Sequence, residues 1–136
     1  MPGQNSSAPS RPASIVLLRV AIALLLGVHG GYRLFTGGYA GFGEYLGSQG
    51  LPFGGTLALA ITLFEIVGPL CLLFGRFVRP VVVVHALILG AGIVMVHAPE
   101  GWFVVGAGRN GMEYSVLLLV GLAALFLAEG ERREIA

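Results

Sequence analysis

The chain has 136 residues, 56% hydrophobic and 11% charged, with a mean hydropathy of +0.87. An ordinary soluble domain carries about 25% charged residues, so a water-facing globular domain is excluded, and the length allows one membrane domain. All eight basic residues are arginine and all seven acids glutamate, and a net charge of +1 leaves no basic face for nucleic acid.

Residues 1–12, rich in Pro, Ser, Gly and Asn, read as a disordered polar tail. A signal peptide is the rival reading, because Arg11 precedes an apolar run. That run continues to Phe35, past the roughly 7–15 residues of a signal core. Four membrane spans follow, at 13–35, 54–75, 77–97 and 111–128. At about 1.5 Å per residue each can cross a hydrocarbon core about 30 Å thick. The expected fold is all-α: a four-transmembrane-helix bundle over residues 13–128, then a short charged C-terminal tail at 129–136.

Arginine sets the expected orientation. Arg11, Arg76, Arg79, Arg132 and Arg133 fall on one side of such a bundle, and Arg33 and Arg109 on the other. The excess predicts that both termini are cytoplasmic. The second and third spans are then joined by a tight inner turn around 75–79. In the first outer loop Phe42, Tyr45 and Leu46 stand at helical spacing, and Gly50 and Pro52 end the segment. This predicts a short interfacial helix. Tyr32, Tyr39, Tyr45, Tyr114 and the single Trp102 all gather at the outer end, whereas a plain membrane belt is two-sided. A faint repeat links Val28-His29 and Glu44-Tyr45 to Val96-His97 and Glu113-Tyr114. It suits two helical hairpins in parallel orientation, or chance.

Phe103-Val-Val-Gly106-Ala-Gly108-Arg-Asn-Gly111 contains a GxGxxG string. A dinucleotide fold also needs a second parallel strand in a βαβ unit, and this string lies between two spans. It reads as a Gly-rich loop entering the last helix. Gly27 and Gly31 form a GxxxG around His29, which reads as close helix packing. Cys71 is a packing residue. A lone cysteine excludes an internal disulfide and a CxxC relay.

Intramembrane ionisable groups carry the strongest functional signal, because a lipid-facing charge costs at least about 2.5 kcal/mol. They are Arg19, His29, Glu65 and His85, with Arg33, His97 and Glu113 near the outer boundary. Arg19, His29 and Arg33 fall within an arc of about 80° on the first helix, and an inner Arg19–Glu65 pair is expected. Arg109 and Glu113 are four apart, which makes them neighbours on one helical face if the helix includes both, a pairing that reads as structural. The groups either form one site or only fix the packing. No metal site is expected, and the histidines lack the matched depth that haem would need.

His29-Gly-Gly-Tyr-Arg33-Leu-Phe35, Gly41-Phe-Gly-Glu-Tyr45-Leu, Gly50-Leu-Pro-Phe53, Glu65, Arg79, His97 with Gly101-Trp102-Phe103, and Gly111-Met-Glu113-Tyr114 together resemble the DoxX family of small bacterial membrane proteins. The resemblance runs over about 15–128. Arg33 stands where Lys is common, which changes the hydrogen-bond geometry, and Trp102 where Phe is usual. The resemblance implies a four-helix bundle in a bacterial inner membrane. It also implies links to quinol oxidation and thiosulfate–quinone chemistry, with His29, Arg33, Glu65, His97 and Glu113 as polar motif residues.

Three functions follow as expectations. The first is an outward-facing quinone or quinol pocket in a redox membrane complex. His29, Glu65, His97 and Glu113 would move protons there, and Arg33, Tyr45, Trp102 and Tyr114 would bind the ligand. No flavin, dinucleotide or haem motif is present, so electrons would need an oxidoreductase partner subunit. The second is a non-catalytic subunit or assembly factor, in a homo-oligomer or with a partner. The third is a small transporter for an anion or sulfur compound, drawn in by Arg33 and Arg109.

Overall fold

The computed structural model describes residues 12–135, with side chains through Gly130. The expected disordered tail at 1–12 lies outside the described residues but for Pro12. Every regular element described is helical. α1 spans Ala13–Phe35, α2 Tyr39–Ser48, α3 Gly54–Leu73, α4 Val78–Gly92 and α5 Glu113–Ile135. Beyond α4 the same rod continues as a π-helical turn, Ile93–His97, and a 3₁₀ turn, Ala98–Glu100. Among the described residues, four rods are long and apolar enough to cross a membrane: Ala13–Phe35, Gly54–Leu73, Val78–Glu100 and Glu113–Gly130. α5 runs through the stretch expected to be a separate charged tail.

Each span buries one stripe. α1 turns Arg19, Ile22, Ala23, Leu26 and Gly30 inward, and α4 turns Val78, Val81, Val82 and His85. Both sets follow the i, i+3, i+4, i+7 rule of a helix with one packed face. α5 contributes Ser115, Leu118, Leu122 and Leu125. The opposite faces carry exposed Leu, Val and Phe side chains, as lipid-facing surfaces do.

α1 packs chiefly on α3, and α4 chiefly on α5. The α1–α3 contact is close because the facing residues are small. A Cβ at Gly30 would lie 2.7 Å from the Glu65 Cβ and 2.9 Å from its carbonyl carbon. Gly27 meets Pro69 one turn away, at 3.4 Å. Gly31, by contrast, faces open space. The packing pair is therefore Gly27 and Gly30, and the GxxxG partner expected at Gly31 plays no part in it.

The chain reverses between α3 and α4 through a Schellman close: Gly75 N–H donates to Leu72 O and Arg76 N–H to Cys71 O, at 2.9 and 2.8 Å. The position demands φ of +67°, which glycine adopts without strain. This is the tight turn expected at 75–79. It marks one end of the bundle, the turn end. The long connections mark the other, the loop end. The apolar core of Ile22, Ala23, Leu26, Leu72, Val78, Val81, Val82, Leu118, Leu122 and Leu125 lies mostly towards the turn end, with Leu26 and Leu118 reaching past mid-span. The short helix α2 packs across the first turn of α3, where Gly43 lies backbone to backbone against Gly55.

Candidate functional site

Antiparallel α1 and α3 bring Gly30 level with Glu65, and this register decides the ion pairs. Arg33, one turn beyond Gly30, reaches Glu65 through Nη1–Oε2 at 2.6 Å. The pair is largely dry, with side chains 17% and 6% exposed. The Arg19 guanidinium instead lies against Gly75 at the turn end. Eleven residues of α1 separate it from Gly30, about 16 Å at 1.5 Å per residue. The expected Arg19–Glu65 pair is therefore replaced by Arg33–Glu65.

Arg33 is used twice more. Its Nη2 donates to His29 Nε2 at 2.6 Å, and its guanidinium stacks 4.6 Å from the centre of the Phe42 ring of α2. A guanidinium only donates, so His29 Nε2 accepts, and the proton of the neutral ring sits on Nδ1. His97 has the opposite polarity. Its Nδ1 contacts the Asn110 carbonyl at 2.8 Å, and a carbonyl only accepts, so Nδ1 donates. In the neutral ring the free nitrogen, Nε2, is then an acceptor. The two histidines offer one donor and one acceptor.

These groups line a cavity of about 850 Å³ towards the loop end, bounded by residues of all four spans. Its polar wall holds His29, Arg33, Glu65, His97 and Tyr114, the first four from three different spans. Tyr32, one of the outer-end tyrosines, lines it too, as do Asn110 and Ser115, which the sequence pattern did not single out. Ser115 had a readable signal: it is the polar residue one turn before Leu118 on the buried stripe of α5.

Three expected site residues are placed elsewhere. Glu113 opens α5 and turns back on the loop, where its Oε1 accepts from Val104 N–H at 2.9 Å. Trp102 uses its carbonyl to accept from Glu113 N–H at 3.0 Å, and its side chain stands outside the cavity wall. Tyr45 donates its hydroxyl to Met95 O at 2.8 Å. That carbonyl lies within the π-helical turn. We expect Tyr45→Phe to cost about 1 kcal/mol, the net worth of one hydrogen bond. Thermal unfolding of the purified protein in detergent measures it, with a Tyr39→Phe variant as the control.

The glycine string of the loop also has a local reason. A Cβ at Gly111 would come within 2.5 Å of the Trp102 and Phe103 backbone, so the loop closes on itself there. Gly111 N–H donates to Phe103 O and Met112 N–H to Gly101 O. No strand adjoins it among the described residues. His85 sits apart from the cavity, 1% exposed, its ring 4.8 Å from that of Phe64 and nested against Gly68. Among the described residues no group of three or more His, Cys or acidic side chains is placed to hold a metal ion.

The sequence model of the DoxX family matches residues 14–98. The matched segment holds His29, Arg33, Glu65 and His97. Tyr114 and the rest of α5 lie beyond it. No curated protein and no solved structure matches the chain.

Proposed function

Since the chain belongs to the DoxX family of membrane proteins, we propose that its loop-end cavity is a quinone or quinol site serving a redox complex of the bacterial inner membrane. In this reading both termini are cytoplasmic and the cavity faces outward. The observation that carries the reading is the hydrogen-bonded chain Glu65–Arg33–His29 opening onto a cavity that His97 and Tyr114 share. Its size falls within the roughly 300–1,000 Å³ of small-molecule sites.

The donor–acceptor pattern suits both redox forms of such a substrate. A quinone carbonyl accepts from His29 Nδ1–H. A quinol hydroxyl donates to His97 Nε2, which takes its proton as a general base. Tyr114 gives a flat wall and a hydroxyl that serves either form. Arg33 holds the His29 tautomer, and Glu65 holds Arg33. Glu113 acts at one remove, by fixing the loop that carries Asn110 against α5. Oxidation of one quinol passes two electrons to an oxidoreductase partner subunit and releases two protons, the first to His97 Nε2 and the second to solvent at the loop end.

Titration of the protein in lipid nanodiscs with a quinol analogue tests the reading. We expect saturable binding, weakened about tenfold in His29→Ala and in His97→Ala, as the loss of about 1.4 kcal/mol would give. Glu113→Ala should weaken it less. Absence of saturation, or the same affinity in His29→Ala, rejects the proposal.

The position of the Arg33–Glu65 pair favours a second reading. It lies beside the close Gly30–Glu65 approach of α1 and α3, where a scaffold charge would also lie. A non-catalytic subunit or assembly factor would use it to fix packing and partner choice. Pull-down distinguishes the two: Glu65→Gln would then break a partner complex while leaving ligand affinity unchanged.

A further inference from the structure

The polar groups occupy only one end of the cavity. Leu24, Leu25, Leu26 and Val28 of α1, Leu89 of α4 and Leu118 of α5 line the rest. On α1 the apolar residues lie within two turns of His29 on its turn-end side, and Leu118 stands one turn to the same side of Tyr114. The cavity therefore has a polar head towards the loops and an apolar foot towards mid-membrane.

The foot is not sealed. Leu24, Leu25 and Val28 line it and yet are 54%, 47% and 69% exposed. Their exposure is on a spanning helix, where the surrounding medium is acyl chain rather than water. Closer to the turn end the α1–α5 seam is shut. A Cβ on Gly121 would come within 2.7 Å of Ile22 Cδ1 and 3.6 Å of Leu18 Cδ1. The two helices are thus pinned together around Ile22 and Gly121, and the gap between them opens one to two turns nearer the loops.

We infer that this gap is a lateral portal, and that the occupant is a membrane-dissolved amphiphile with a hydrogen-bonding head and a long apolar tail. The head sits among His29, Arg33, His97 and Tyr114. The tail leaves between Leu25 and Leu118 into the bilayer. A water-soluble anion would have no use for a leucine-lined foot open to lipid. This inference deepens the quinone reading and rests on the same cavity. It requires only the tail and the route, and a different polar head would satisfy it.

A tail that moves from lipid to a leucine wall gains little, because acyl chains are as apolar as leucine. The tail therefore fixes the route rather than the affinity, and location is the quantity to measure. The full chain in nanodiscs is photolabelled with a decyl-tailed benzoquinone carrying a diazirine at the tail end. Mass spectrometry then maps the label. We expect it to concentrate on residues 24–28 and around Leu118 and to be several-fold weaker at Leu17 and Leu127, which are also lipid-exposed. Excess unlabelled decyl-benzoquinone should remove the concentrated label. Val28→Trp, which fills the gap from an exposed position, should remove it too, whereas Leu17→Trp should not.

Even labelling of all lipid-facing helices, or label unchanged in Val28→Trp, overturns the portal. The head is tested separately. If a decyl chain bearing a phosphate head displaces the portal label as well as the quinone does, the portal stands and the quinone reading falls. If tail-less benzoquinone binds in a His29-dependent way while no portal label forms, the quinone reading stands and the portal falls.

Discussion

Arg33→Met is expected to destabilise the bundle by about 3 kcal/mol, because removing one partner of a buried ion pair leaves the other uncompensated, at a typical cost of about 3–5 kcal/mol. The lower end applies because Arg33 keeps 17% of its side chain exposed, while Glu65 is nearly dry at 6%. The double variant Arg33→Met with Glu65→Met should recover most of that loss, since apolar replacement of both partners is often neutral. Equilibrium unfolding in mixed micelles gives the three stabilities. The same proteins titrated with a quinol analogue separate scaffold from site. A double variant that regains stability but no longer binds assigns the pair to the ligand pocket. One that regains stability and binds as before assigns it to packing alone. A single-variant loss under about 1 kcal/mol would place the pair among ordinary exposed salt bridges.

Gly30→Ala is the second large effect. The added methyl would meet the Glu65 Cβ at 2.7 Å and its carbonyl carbon and oxygen at 2.9 Å. Two of those three atoms are backbone and cannot turn aside as a flexible side chain would. Overpacking of this sort costs about 1–3 kcal/mol, and the upper part of that range is expected here. Gly31→Ala is the matched control. Nothing lies within 4 Å of its new Cβ, and alanine is the better helix former, so stability should hold or rise slightly. Thermal unfolding of the two variants in detergent compares them directly. Equal losses would mean that α1 meets α3 through a different face.

The spans were legible because lipid imposes a simple rule: long apolar runs must be helices that satisfy their own backbones. The boundaries of α1 followed from composition alone. Partner choice was less readable. Arg19, His29 and Arg33 share a face of α1, so helical phase admits either arginine as the Glu65 partner. Only the height at which α1 meets α3 selects Arg33, and Gly30, one residue from the obvious GxxxG, sets that height. Of the expected site residues, His29, Arg33, Glu65, His97 and Tyr114 meet at one cavity because residue type and depth were both visible. Glu113, Trp102 and Tyr45 have the same residue chemistry and depth. They are held elsewhere by hydrogen bonds to or from loop and helix backbone, which no spacing rule reveals.

His97 shows what the wide turn at Ile93–His97 accomplishes. From His85 to His97 is a step of twelve residues, and on a regular α-helix that step overshoots three full revolutions by about 120°. Such a rod would point one histidine into the core and swing the other towards lipid. The wide turn absorbs about one residue and cuts the overshoot to about 20°. The irregularity acts as a phase corrector, letting one rod serve two different interiors, a dry one below and a polar one above. Tyr45, anchored on α2, holds the Met95 carbonyl inside that corrector. The azimuth of a histidine on the third span is thereby set from the connection between the first two.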